Sequence, residues 1–146
     1  MILLFLMVCQ SLSAQKDVRN YTEVDIVGLM MKLDDTLQVE ELLRELGYEY
    51  RFRTGDESLF TRVHLSQGML SFFWITSSMD VERRLKKVRL VSGFSAEKLL
   101  NSFKRIGFHI DSVSEGERKV YFRKGDFTAT MEQDISVPCM IMEFYF

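Results

Sequence analysis

The chain has 146 residues, of which 47% are hydrophobic and 27% charged, and its formal net charge is -2 at pH 7. This length and composition predict one globular domain, which can bury a sizeable core without disulfides or a metal ion. The slightly negative charge excludes the lysine- and arginine-rich composition typical of nucleic-acid-binding proteins, so we expect no nucleic acid or other polyanion as partner.

The first nine residues, MILLFLMVC, are all apolar, and the segment QSLSAQ follows them with several small residues. This pattern is typical of a secretory signal peptide and predicts that residues 1–14 are removed, leaving Gln15 first in an exported, periplasmic or secreted chain. An apolar run of this length is too short for a transmembrane helix, which needs about 20 residues. The alternatives are a buried N-terminal strand, a start upstream of Met1, or a lipoprotein anchored through Cys9. Soluble export is favoured over the lipoprotein because the bulky Val8 precedes that cysteine.

The next segment, YTEVDIVGLMMKL, is ambiguous between helix and strand over residues 22–33. Thr22 followed by Asp25 resembles a helix start, whereas Gly28 is unfavourable inside a helix. The sequence favours a helix here.

Two similar segments follow, LRELGYEY at residues 43–50 and FKRIGFHI at residues 103–110, each with a glycine at the same place. The apolar residues before each glycine have helical spacing, and each stripe follows a capping residue, Asp35 or Ser95. These stripes are Val39, Leu42, Leu43 and Leu46 in the first helix and Ala96, Leu99, Phe103 and Ile106 in the second. Gly47 and Gly107 are predicted to end the helices with positive φ, which glycine adopts without steric cost.

After each glycine the apolar pattern alternates with a period of two residues, which predicts strands separated by polar turns such as RTGDES and VSEGER. The predicted fold is therefore α+β, with residues 15–146 forming a single domain of two tandem repeats, about 35–93 and 95–146. Each repeat consists of one helix followed by a four-stranded antiparallel meander, and the helices pack on one face of a shared sheet. Residues 79–87, MDVERRLKK, remain open between strand and short helix.

This order of elements is similar to that of small exported repeat proteins such as the β-lactamase inhibitor proteins. The resemblance is one of architecture, and no motif carries that family's binding residues to positions of this chain. It implies an exported α+β repeat fold and leaves the function open.

No catalytic or metal-binding motif accompanies the chemically reactive residues. His64 and His109 are the only histidines, and the sequence has no HExxH, CxxC, GxSxG or phosphate-binding glycine loop. We therefore predict no catalytic site, no metal and no cofactor. Cys139, the one cysteine left after signal removal, is interpreted as a small buried hydrophobe, with a reactive or intermolecular thiol as the alternative.

The strand SFFWIT places large apolar groups on both faces, although a half-solvated sheet would alternate them with polar residues. We expect the sheet face opposite the helices to be an interaction surface. If Tyr48, Tyr50 and Phe52 face the core, Arg51 and Arg53 lie on the other side. Arg62 is expected to add charge there. Phe73 is chosen as the aromatic residue of this surface, on the assumption that the larger Trp74 belongs to the core.

These residues predict an exported, non-catalytic binding or inhibitory module whose partner is an unidentified protein or envelope ligand. A structural envelope protein that self-associates, for example as a homodimer, is the second interpretation. A small hydrolase with a dispersed site is the third.

Overall fold

The computed structural model describes residues 21–64, 69–78, 81–114, 116, 118–133, 136 and 139–146, so the predicted signal peptide and Cys9 lie outside the described residues. Within these ranges the fold is α+β, with three helices and one eight-stranded antiparallel sheet. The helices are α1 (Glu23–Met30), α2 (Thr36–Glu45) and α3 (Ala96–Arg105). No helix of the described part is long and apolar enough to cross a membrane.

Four strands follow α2 and four follow α3. The first four are β1 (Glu49–Thr54), β2 (Glu57–His64), β3 (Met69–Ser77) and β4 (Leu85–Ser92). The second four are β5 (His109–Ser114), β6 (Lys119–Lys124), β7 (Phe127–Gln133) and β8 (Met140–Tyr145). Their order in the sheet is β1-β2-β3-β4-β8-β7-β6-β5, so β4 and β8 meet at the centre while β1 and β5 form the two edges.

At the start of each helix a polar side chain pairs with a backbone N–H, either of the residue before the helix or of the first turn. The carboxylates of Asp25 and Asp35 accept from the backbone N–H of Thr22 and Gln38, both at 2.9 Å. The Ser95 hydroxyl accepts from the N–H of Lys98 at 3.3 Å. Such caps pair backbone donors that have no partner within the helix.

The predicted helix over residues 22–33 is confirmed as α1, although Gly28 lies inside it. A Cβ built on Gly28 would lie 2.5 Å from Cγ2 of Ile106, the residue that follows α3. The glycine therefore allows Ile106 to pack directly against the backbone of α1. The ambiguous segment 79–87 contains the start of β4 at Leu85, and residues 79 and 80 lie outside the described residues.

The predicted positive φ at both helix-ending glycines is confirmed, with values of 89° at Gly47 and 96° at Gly107. In both places the residue after the glycine returns a backbone bond to the helix. Tyr48 donates to the carbonyl of Leu43, and Phe108 donates to that of Phe103, each at 2.9 Å. These bonds turn the chain from the helix into the next strand.

Both edge strands contain an irregularity in register, between Tyr50 and Phe52 in β1 and between Ile110 and Ser112 in β5. The extra residue in β1 reverses the alternation that the sequence predicted for the rest of that strand. Phe52, predicted to face the core, lies opposite Leu59 and is 55% exposed. That prediction is wrong because a bulge interrupts the period of two.

The hydrophobic core lies between the helices and one face of the sheet. Its strand residues alternate with outward-facing ones, and large fully buried side chains come from both halves of the chain, among them Phe60, Phe73, Leu90, Phe103, Met142 and Phe144. The ring of Phe103 in α3 stacks on that of Phe144 in β8 at a centroid distance of 5.3 Å. Because the described helices pack on this face, they leave the opposite face of the sheet uncovered.

Candidate functional site on the open face of the sheet

The open face is the sheet face opposite the helices, and the strand register determines which side chains it carries. Residues that lie directly opposite one another in neighbouring strands share a face. One row crosses the whole sheet through its middle and consists of Phe52, Leu59, Trp74, Arg89, Glu143, Thr130, Tyr121 and Ser112. Similar rows lie on either side of it.

The large apolar side chains of the open face are concentrated in the half of the sheet that β1 to β4 form and in the adjoining strand β8. We call Leu59, Phe72, Trp74, Val91 and Ile141 the apolar patch. Its members are neighbours across β2, β3, β4 and β8, and all are half-buried. The rings of Phe72 and Trp74 are stacked, with centroids 5.7 Å apart and an interplanar angle of 17°. In β5 to β7 the same rows carry threonine, serine and charged residues and a single aromatic residue, Tyr121.

Paired charges border the apolar patch. The guanidinium of Arg89 lies 4.6 Å from the centroid of the Trp74 ring, and its Nη2 is 3.7 Å from Oε1 of Glu57. Beside it, Nζ of Lys87 is 3.2 Å from Oε2 of Glu143. Cations that stack on aromatic rings and pair with carboxylates hold the rings in place at a modest energetic gain.

Glu143 and Tyr145 are electrostatically linked at the end of β8. Partial burial favours a raised pKa for Glu143, but hydrogen bonds with Tyr145 and Lys87 outweigh it, so that the pKa is lowered. The hydroxyl of Tyr145 donates to Oε2 of Glu143, and this bond together with partial burial raises the pKa of Tyr145 to about 12. Both groups therefore keep their usual charge states around neutral pH, the carboxylate ionised and the phenol neutral.

Of the four residues predicted for this surface, Arg51 reaches the open face. It occupies the irregular position of β1, where its Nε donates to Oγ1 of Thr61 at 2.6 Å and its Nη2 lies 3.3 Å from Oε2 of Glu49. Thr61 lies opposite Phe72 of the apolar patch. Arg51 is thus placed at the border of the patch on the β1 side.

The structure places the other three predicted residues elsewhere. Arg53 lies opposite Ser58 on the helix side of β1, where its Nε donates to the carbonyl of Gly55 at 3.0 Å. Arg62 is also on the helix side. Its Nη1 donates to the carbonyl of Leu46 at 2.7 Å, and its guanidinium lies 4.7 Å from the ring centroid of Tyr48.

Phe73 is a core residue with 0% exposure, and its ring meets that of Tyr48 edge to face at a centroid distance of 5.1 Å. The choice between Phe73 and Trp74 was therefore wrong, because Trp74 is the aromatic residue on the open face. A phenyl ring can be fully buried without a polar partner, whereas a buried indole N–H requires an acceptor. Size alone is therefore a poor guide to which aromatic residue enters a core.

The open face also carries Phe72, Arg89 and further residues of β4 and β8, which were not predicted from the sequence. The sequence does contain one signal for them, because Arg89 stands between the apolar residues Val88 and Leu90, and both of these are buried. Had this alternation been combined with the pairing of β3 and β4, Arg89 would have been placed beside Trp74.

Within the described residues, no group of three or more histidine, cysteine, aspartate or glutamate side chains could hold a metal ion. His109 is exposed at the start of edge strand β5, and Cys139 is partly buried just before β8. The side chain of His64 lies outside the described residues. No protein-family model, curated protein or solved structure matches the chain.

Proposed function

We propose that this protein is an exported, non-catalytic module that binds another protein through the open face of its sheet. The observation that carries the proposal is the apolar patch. Its aromatic and aliphatic side chains are adjacent on one half of a face that the described helices do not cover. A sheet face that meets only water ordinarily carries polar side chains, so a contiguous apolar patch with a polar border is typical of an interaction surface.

The composition of this surface favours a folded protein as the partner. Aromatic residues and arginine are enriched where protein interfaces gain most of their affinity, and Trp74 and Arg89 are stacked on each other here. The bordering charges have both signs, because Arg89 pairs with Glu57 and Lys87 with Glu143. A border with charges of both signs is typical of the polar rim of a protein–protein interface. A surface that binds a polyanion or an anionic membrane would instead carry mainly positive charge.

The dimensions of the open face also suit a protein partner. Eight strands spaced by about 4.8 Å give a width of roughly 34 Å. Strands of six to nine residues with a rise of about 3.3 Å give a length of roughly 20 to 30 Å. The resulting area, roughly 700 to 1,000 Å², is comparable to the roughly 800 Å² that each partner buries in a standard interface.

Photo-crosslinking in the native host tests this proposal directly. A photoreactive amino acid at position 74, on the apolar patch, should give a discrete crosslinked species. Two control positions receive the same photoreactive amino acid. Tyr121 lies in the same row as Trp74 but on the polar half of the open face, and Leu37 is exposed on α2. Equal crosslinking at all three positions, or none at position 74, would contradict the proposal. Trp74→Ala should then weaken binding of the protein so identified.

Self-association is the second candidate, and the edges of the sheet are the observation that favours it. Both β1 and β5 are exposed along almost their whole length, with Tyr50, Phe52, Ile110 and Val113 each about half exposed. Exposed edge strands can pair with another chain, although a bulge in each strand opposes such pairing. Light scattering tests this candidate by measuring how the molecular mass depends on protein concentration. Assembly through an edge is supported if the mass of the wild type and of Trp74→Ala rises with concentration while that of Phe52→Arg stays constant.

We further propose that residues of about 35–93 and 95–146 are tandem repeats within a single domain. Gly47 and Gly107 have the same conformation, and each precedes a strand with a register irregularity. Arg62 donates to the carbonyl of Leu46, and Lys124 donates to that of Ile106, so a cation from the second strand of each half caps the preceding helix. Superposition of the two halves from the helix caps through the third strands is the direct test.

A further inference from the structure

A carboxyl group lies buried between the first helix and the sheet. Glu23 begins α1 and is 3% exposed. The hydroxyls of Ser71 and Ser92 are close enough to favour its ionised form, whereas its Oε2 makes no hydrogen bond within the described part of the chain. Burying a carboxylate without full pairing costs far more than burying the neutral acid.

Two of the groups around Glu23 are themselves engaged with further polar atoms. The hydroxyl of Tyr48 lies 2.7 Å from Oγ of Ser71, and the backbone N–H of Phe94 donates to Oγ of Ser92 at 3.1 Å. Because Ser92 accepts this bond, its own hydroxyl hydrogen is available to the carboxyl of Glu23. Burial raises the pKa of Tyr48 to about 12, so its hydroxyl keeps its proton throughout the physiological range.

The matching positions in the second half of the chain are apolar. Phe108 follows Gly107 as Tyr48 follows Gly47, and Phe127 lies opposite Lys124 as Ser71 lies opposite Arg62. The core therefore accommodates phenylalanine at both places, yet the half that packs beneath α1 carries two hydroxyl groups there. Polar groups in a core are costly unless they are paired, so these hydroxyls are best explained by the bond between them and by their position beside the carboxyl group of Glu23.

The other charged groups around the start of α1 are directed elsewhere. Asp25, two residues along in the same turn, faces α3, and its carboxylate accepts two hydrogen bonds from the guanidinium of Arg105, at 3.1 and 2.9 Å. Tyr21 precedes the helix near this pair, and its pKa is raised by partial burial and then by Asp25. Arg62 lies on the ring of Tyr48 and favours the ionised form of Glu23. Burial outweighs Arg62 and the hydroxyl groups, and the pKa of Glu23 is raised.

We propose that Glu23 acts as a proton-dependent latch that holds α1 on the sheet. The neutral acid fits between Ser71 and Ser92, whereas the ionised carboxylate must reach water, which requires the first turn of α1 to move away from the sheet. Val24, Val27 and Met30 of this helix have 0% exposure. Release of α1 would therefore expose apolar surface on the helix and on the core beneath it, and the protein would respond to rising pH by opening at this site.

The direction of the pH effect follows from linkage. The folded state raises the pKa of Glu23 above the value of 4.5 for an unperturbed glutamate, so folding takes up a proton when the pH lies between the unfolded and folded pKa values. The stabilisation that the neutral carboxyl group provides is fully present below the pKa of Glu23 in the unfolded chain. It is lost as the pH rises through the pKa of Glu23 in the folded protein. Between the two values the unfolding equilibrium constant increases up to tenfold per pH unit from this one group.

Urea unfolding of the wild type and Glu23→Gln between pH 5 and pH 9 tests the latch, because glutamine imitates the neutral acid and does not ionise. The ratio of the wild-type to the Glu23→Gln unfolding constant should rise with pH, by up to tenfold per unit. Glu41→Gln, at an exposed position of α2, is the matched control and should follow the wild type. A ratio that stays constant with pH would overturn the proposal.

Hydrogen exchange locates the opening and decides the question even if Glu23→Gln does not fold. After correction for the intrinsic rate, amides of α1 in the wild type should lose protection as the pH rises from 5 to 9 while those of α3 keep it. In Glu23→Gln the amides of both α1 and α3 should keep their protection against exchange as the pH rises. Equal protection of α1 and α3 at both pH values in the wild type would show that no latch operates.

Discussion

Alanine substitutions at the adjacent residues Phe73 and Trp74 test which face of β3 is buried in the core and which is open. Phe73 is fully buried opposite Phe60 and Leu90, and its ring also meets that of Tyr48. Phe73→Ala removes this burial and leaves a cavity in a core that cannot collapse freely. The expected loss is about 3 to 5 kcal/mol of unfolding free energy. Trp74→Ala, on the half-buried open face, should cost only about 1 kcal/mol, a typical value for a point mutation.

Thermal unfolding followed by circular dichroism measures the difference. For a domain of this size, 1 kcal/mol corresponds to roughly 3 to 5 °C, so Phe73→Ala should lower the Tm by roughly 10 to 20 °C and Trp74→Ala by less than about 5 °C. A loss that large is a substantial part of the 5 to 15 kcal/mol by which domains are ordinarily stable. If Trp74→Ala were the more damaging change, the assignment of the two faces of β3 would be refuted, and with it the open-face surface.

Three further predictions follow from the caps, the buried ion pair and the N-terminal segment. Gly47→Ala and Gly107→Ala should each destabilise the fold by about 1 kcal/mol or more because of their positive φ; equal stability to wild type in urea would argue against strain there. Asp25→Asn should lower the free energy of unfolding by about 1 to 3 kcal/mol, since Asp25 is 7% exposed while its partner Arg105 is half exposed. An unchanged midpoint of urea unfolding would show that the pair contributes nothing to stability. The intact mass of exported protein should correspond to a chain that begins at Gln15, and retention of the preceding residues would contradict export by signal cleavage.

The sequence alone determined the features that depend on local backbone geometry. Asp35 and Ser95 marked helix starts because a short polar side chain pairs with N–H groups of the first turn, and Gly47 and Gly107 marked helix ends because positive φ strains other residues. The change of period after each glycine indicated strands, and together these signals established the α+β class. Each depends on residues within a few positions of one another, so the chain shows it without knowledge of the fold.

Only the tertiary structure decided which side of each strand enters the core. Alternation shows that Phe73 and Trp74 face opposite ways, but the helices and the neighbouring strands determine which of them is buried. The bulge in β1 reversed the faces within one strand, and it is visible only in the pairing with β2. Glu23 likewise resembles any polar first-turn residue in the sequence. It becomes a buried acid only because α1 docks over Ser71 and Ser92, residues distant in the chain that the sheet brings together.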